Sequence, residues 1–286
     1  MHSLCGGGNA GEMRARCDNR RRAPACDVSL LVRGDPGRRS VGVQLATRAV
    51  VTAMLAAVVA VAGYLVGLPL TIAAALLALA FALGWPALVG LPFRAGSSVV
   101  IAVGGIGAVV VVHLTSVEPY LRFLPLVFAG AILLSFVNEL VRRDGRERLV
   151  ESVSGTVTGT LVAVASAGWV ATGRTPGGEP LVVVGALALA VGSAVVALSL
   201  APWLGAVVTS VAAAAAGALG GAVLPDINVV PGLVLGLAVG VLVATLHALF
   251  DELPSLERRW PSVAAVSLPV TVTGTLVYVV GRVLVG

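Results

Sequence analysis

A chain of 286 residues that is 58% hydrophobic and 12% charged, with a mean hydropathy of +1.01, has too few charges to coat a water-soluble globule. Its formal charge of +5 comes from arginine alone, since no lysine occurs. The arginines sit in groups between long uncharged runs, a pattern that sets membrane topology and argues against nucleic acid as a partner.

Residues 1–40 are rich in Arg, Gly and Pro and carry no hydrophobic periodicity. They read either as a disordered cytoplasmic tail or as an upstream mis-assigned start. Cys5, Cys17 and Cys26 all lie there, at spacings that match neither a zinc site nor a CxxC redox pair. The first long apolar run begins near Arg48 and is too long for a signal peptide.

A helix needs roughly 20 apolar residues to cross about 30 Å of hydrocarbon. Nine runs qualify, at about 46–66, 70–90, 97–114, 121–141, 151–172, 181–200, 204–223, 230–250 and 262–284. The expected fold is therefore all-α: a single transmembrane bundle over 41–286, with the N-terminus cytoplasmic and the C-terminus external. Pro69, Pro92, Pro176, Pro202, Pro225 and Pro231 fall at or near the breaks, where a missing N–H costs least. The joints at Pro69 and Pro202 are the shortest, and the count rests most heavily on them.

Charge bias supports the same count. With nine spans, sixteen of the 19 basic residues fall on the side of the N-terminus. Only Arg122, Arg174 and Arg282 fall on the other side. One span more or fewer early in the chain would place a basic loop outside. The all-arginine usage, beside abundant Ala, Val and Gly, points to a GC-rich and hence bacterial genome. The expected location is a bacterial plasma membrane, crossed many times.

Trp85, Trp169, Trp203 and Trp260 fall near span ends, where indole rings anchor at the interface. Thr156-Val-Thr-Gly-Thr-Leu-Val162 recurs identically at 271–277. The repeat is either a trace of internal duplication, as in many transporters, or two packing faces on which hydroxyls bond their own helix and Gly admits a neighbour.

Ionisable groups in or beside membrane helices are site candidates by default. The densest group flanks the fourth loop. Asn138 and Glu139 close one span, Arg142, Arg143, Arg146 and Arg148 follow, and Glu151, Ser152, Ser154, Thr156 and Thr158 open the next. Such a set of carboxylates, hydroxyls and guanidinium forks suits a phosphate or an anionic lipid headgroup. Equally, the charges at helical spacing form surface ion pairs and the loop only sets topology. Asp226 and Asn228 read as turn formers, and His113 and His247 as structural hydrogen-bonding residues. No HExxH, Walker lysine or nucleophile elbow occurs, so neither a metal nor another cofactor is expected.

The stretch Gly145 to Gly159, GRERLVESVSGTVTG, resembles the segment preceding the Ser-Pro-Lys-Lys-Thr-x-Glu-Gly box of CDP-diacylglycerol synthases, with Ser152-Val153-Ser154 on that family's Ser-Ile-Ser. The box's lysines and glutamate are missing, and FDELPSLERRW around Asp251 does not match the family's C-terminal signature. No catalytic role is carried over. As a whole, the membrane region resembles uncharacterised multi-spanning proteins of actinobacteria, which implies a membrane location. Three functional readings follow: a permease for small or lipid-like molecules or a transport-related subunit, an embedded enzyme acting on a lipid headgroup, and a non-catalytic scaffold. The first is preferred because no enzyme motif is present. Oligomeric state is not encoded in any of these features.

Overall fold

The computed structural model describes residues 36–65, 67–142, 148–198, 200–224, 227–251 and 258–284, and the side chains of all of these except 36–46 and 251. Contacts divide the chain into two units at Gly42. Within the first, only 36–42 are described, as the opening of a helix. The Arg/Gly-rich segment before residue 36, with its three cysteines, lies outside the described residues.

Among the described residues there are ten helices and no strand. They are α1 (Pro36–Leu65), α2 (Leu68–Val89), α3 (Arg94–Leu114), α4 (Leu124–Val141), α5 (Leu149–Ala165), α6 (Ala167–Arg174), α7 (Gly178–Val196), α8 (Pro202–Val223), α9 (Val229–Asp251) and α10 (Arg259–Leu284). Helices α5 and α6 stack end to end as one span, Leu149–Arg174, giving nine candidate spans. Each expected apolar run has become one of them. The joints follow local chemistry. Gly67 takes φ 72°, open to a residue without Cβ, and Pro69 then sits in the first turn of α2, where no donor is needed. Pro202 starts α8 in the same way.

The apolar surface faces outward. Tyr64, Leu114, Val150, Val223 and Val283 are all more than 70% exposed. In water such a surface would drive aggregation; in a bilayer it is the lipid contact. Helix α10 and the α5–α6 span are 67% and 61% buried over their apolar windows, while α4 is only 17% buried. So α10 and α5–α6 form the axis and α4 the rim. Helix α10 packs against α2, α5, α6, α7 and α9, between an α2–α5 group and an α7–α9 group.

Small residues set the packing distance. In α8 and α9, a Cβ on Gly217 would collide with the Gly232 carbonyl, and a Cβ on Gly236 with that of Ala213. These two helices touch backbone to backbone. A second close approach joins α6 to α10, where Gly168 lies against the backbone of Gly274 and Thr275.

The junction at Ser166 frees backbone groups that lipid cannot satisfy. Thr275 Oγ1 donates to the Ala165 carbonyl at 2.9 Å, and Ser166 Oγ donates to that of Ala163 at 2.8 Å. Pro269, inside α10, removes the N–H that the Ala265 carbonyl would use. One residue on, Thr52 Oγ1 of α1 stands 3.3 Å from the Val266 carbonyl.

The two copies of the Thr/Gly repeat dock in the same way. Trp85 Nε1 donates to the Gly155 carbonyl at 2.9 Å, and Trp169 Nε1 to the Val270 carbonyl at 2.8 Å. Each acceptor is the residue just before its copy. Each indole also lies over the copy's glycine, Gly159 or Gly274. Thr156 and Thr271 donate back to Ser152 and Ser267, four residues earlier, at 2.7 and 2.8 Å. This is the packing-face geometry. The donors come from α2 and α6, helices with different places in the chain order, so the docking does not describe a repeated helix set.

The interface-anchor expectation fails for Trp169, which is fully buried, and Trp85 is half-buried as a packing donor; Trp203 and Trp260 are exposed. A Trp169→Phe exchange keeps an aromatic ring but loses the N–H and part of the indole's volume at a fully buried position. It is expected to lower stability by about 1–3 kcal/mol, against no measurable loss for Trp203→Phe, read as melting in detergent.

Candidate functional sites

The group flanking the fourth loop splits in two. On α5, Ser152, Thr156 and Thr160 stand four residues apart, so they share one face, and all three are buried. Ser154 and Thr158 lie on the other face and are exposed. Glu139 of α4 and Arg142, the residue just past its end, turn inward against the buried face. Arg142 NH1 donates to Glu139 Oε2 at 2.6 Å, with the side chains 1% and 4% exposed. Ser152 Oγ donates to Glu139 Oε1 at 2.5 Å. Thr156 Oγ1 then stands 3.0 Å from Ser97 Oγ of α3. A continuous polar seam thus ties α3, α4 and α5 together at their arginine-bearing ends.

Asn138 borders this seam. Its amide oxygen lies where a Cβ on Gly96 would fall, and its Nδ2 is buried with no partner. Glu151 faces outward and pairs with Arg148, with side chains 60% and 55% exposed. Arg143 and Arg146 lie outside the described residues. The structure therefore brings Asn138, Glu139, Arg142 and Thr156 together and leaves Arg148, Glu151, Ser154 and Thr158 apart from them. A shared headgroup pocket needed Glu139 and Glu151 to converge, and they diverge because their helical phases differ. An exposed pair contributes about 0–1 kcal/mol, so Glu151→Ala is expected to leave the melting temperature within a degree or two.

A different region holds space. Where the C-terminal ends of α7 and α9 meet Arg48 of α1 and the N-terminal half of α10 lies a cavity of about 70 Å³, bordered by Arg48, Thr52, Ser193, His247, Phe250 and Pro269. A second of about 70 Å³ adjoins it against α8, shares Val196 and His247 with it, and includes Thr209. Pro269, which borders the first cavity, lies ten residues past Arg259, about 15 Å along α10. Ser193 and Thr209 are 3% and 1% exposed, and neither hydroxyl has a hydrogen-bond partner. Arg48 and His247 each make a further interaction.

At the opposite ends of α7 and α10 a third cavity, of about 160 Å³, is bordered by Glu118, Thr172, Thr175, Leu181, Tyr278 and Arg282. Arg282 pairs with Glu118 at 3.1 Å. Nearby, Arg174 donates to the Thr115 carbonyl at 3.0 Å and lies 5.2 Å from the Tyr120 ring centroid. Arg122 stacks on Phe123 at 4.7 Å. So all three arginines at this end are held by local partners. Between the opposite cavities Val182, Val184, Leu189, Val270 and Val277 form one buried cluster with Trp169.

Ser193, Thr209 and Arg48 were not singled out in the sequence, where isolated hydroxyls in apolar runs are common. His113 is structural as expected: its Nδ1 lies 2.9 Å from Thr71 Oγ1. His247 instead borders both cavities near α8 and α9. Asn228 stands just before α9, its carbonyl accepting the Gly232 N–H at 3.2 Å as the first helical bond, while Asp226 lies outside the described residues. No group of three potential metal ligands occurs among the described residues.

No family model, curated protein or solved structure matches the chain. The fold itself defines the class: a multi-pass α-helical membrane protein, with apolar helices suited to contact with the lipid bilayer.

Proposed function

We propose that this chain is a permease for small solutes in a bacterial plasma membrane. One observation carries the reading: cavities at opposite ends of the bundle border the same two helices, α7 and α10, and a packed apolar plug separates them. Access from each side in turn requires such an arrangement, with α10 between two helix groups that can shift against one another. Pro269 and the Ser166 junction interrupt the two most buried spans, and broken helices in membranes are tolerated where other groups satisfy the freed backbone. The small volumes favour solutes of a few atoms over lipids or sugars.

Reconstituted vesicles test this by light scattering after osmotic shock in potassium chloride or potassium nitrate, each with valinomycin to carry the potassium, or in urea or glycerol. At least one solute is expected to re-enter faster than into protein-free vesicles. Ala265→Phe, which fills the first cavity, is expected to abolish that flux while eluting as a monodisperse protein. Equal rates with and without protein for every solute would refute the permease.

A further inference from the structure

We infer that the cavity of about 160 Å³ at the Arg282 end of α10 is an entry site for a small neutral amide, a solute of the urea or acetamide kind. The inference rests on the permease reading and names its solute class. Its basis is what the walls can donate and accept. Thr172, Leu181 and Gly281 are buried, whereas Glu118 and Arg282 are partly exposed, so the charged pair stands nearer the surface. Arg282 NH2 donates to Glu118 Oε2 at 3.1 Å, a single bond between groups able to form two. Neither residue has another partner among the described residues. Glu118 Oε1 and the remaining guanidinium N–H groups are therefore open to a third molecule. Thr172 and Thr175 spend their protons on the Gly168 and Thr172 carbonyls, at 2.8 and 2.6 Å. Their hydroxyl oxygens can then only accept. Tyr278 also borders the cavity, and its hydroxyl has no hydrogen-bond partner among the described residues.

Such walls suit a ligand with an acceptor for Arg282 and donors for the rest. An amide carries that set: a carbonyl oxygen for the guanidinium, and N–H groups for Glu118 Oε1 and the threonine oxygens. Its oxygen and nitrogen sit on one carbon in one plane, so it can bridge the guanidinium and the carboxylate without parting them. Charge selects against ions. Glu118 and Arg282 are the charged residues bordering the cavity, and they offset each other. A net-charged ion would meet a like charge about as close as the unlike one. A zwitterion would give up the hydration of two full charges to a pair that already satisfies itself. The volume, against about 30 Å³ per water in the liquid, admits a molecule of a few heavy atoms.

Stopped-flow light scattering on vesicles of the full chain tests the site. The solutes are urea, acetamide, glycerol, glycine, and potassium chloride with valinomycin. Urea and acetamide are expected to enter faster than into protein-free vesicles, to saturate, and to slow each other's entry. In Glu118→Leu/Arg282→Met the half-saturating urea concentration is expected to rise about tenfold or more, the loss of one hydrogen bond to a charged group. Tyr278→Phe keeps the ring and the ion pair, and a rise of about threefold is expected for it. Urea entry without saturation would overturn the site and leave the permease standing. So would one half-saturating concentration shared by the native chain and every variant that elutes as a monodisperse protein. Entry of glycerol, glycine or chloride without urea or acetamide would overturn the amide assignment and leave the permease standing. Entry of no solute would overturn both.

Discussion

Replacing Gly217 by valine is expected to prevent recovery of folded protein. The reason is geometric. A Cβ at this position meets the carbonyl oxygen of Gly232 and the Gly236 backbone, not a side chain that can rotate aside. Overpacking against movable side chains costs about 1–3 kcal/mol. Here α8 and α9 must separate along their whole contact, which Gly221, Gly232, Gly236 and Gly240 also hold close. In lipid no hydrophobic force favours helix association, so lost dispersion and backbone contact are not offset. Gly130 of α4 is the control: a Cβ there meets nothing within 4 Å, and Gly130→Ala is expected to be neutral or to stabilise by up to about 1 kcal/mol. Size-exclusion profiles and melting curves in detergent check both. A monodisperse Gly217→Val protein melting like the native chain would show that α8 and α9 are farther apart than described.

Glu139→Ala carries the second large effect. Glu139 accepts from Arg142 and Ser152 with almost no exposure. Removing the carboxylate breaks the Glu139 ion pair of a buried guanidinium, which keeps one further interaction; breaking a buried pair costs up to about 3–5 kcal/mol. Replacing both members is expected to be milder, because the desolvation of both charges disappears with them. The double variant Glu139→Leu/Arg142→Met should therefore melt above Glu139→Ala. Ser152→Ala should fall between the native chain and Glu139→Ala, at a loss of about 1.5–3 kcal/mol for a hydrogen bond to a charged acceptor. If the double variant proved less stable than Glu139→Ala, the further interaction of Arg142 would outweigh the desolvation of the pair.

The seam marks how far sequence alone reaches. The nine spans were readable because hydropathy is a property of each segment by itself, and lipid imposes one length on all of them. Side-chain convergence is a property of pairs of helices. Glu139 and Glu151 look equivalent along the chain, yet one is buried and the other exposed. Part of that difference was available in the spacing: Ser152, Thr156 and Thr160 keep one face of α5, and Ser154 and Thr158 fall off it. Trp169 was misjudged because a position near a span end does not reveal whether the helix sits at the rim or the axis. The cavities at Ser193 and Thr209 had no local signal, since an unpaired hydroxyl is defined only by what its neighbours fail to offer.

The account depends on an odd number of crossings that gathers the arginine-bearing ends on the inner face. Single-cysteine labelling tests this directly. Cys5, Cys17 and Cys26 are replaced by serine, and Arg94→Cys, Glu179→Cys or Arg258→Cys is introduced one at a time, all at exposed positions. An impermeant maleimide added to intact cells is expected to modify Glu179→Cys alone, and to reach Arg94→Cys and Arg258→Cys only after the membrane is opened. Modification of Arg94→Cys and Arg258→Cys from opposite sides, or of Glu179→Cys and Arg258→Cys from the same side, would contradict the nine-span bundle and the cavities built on it.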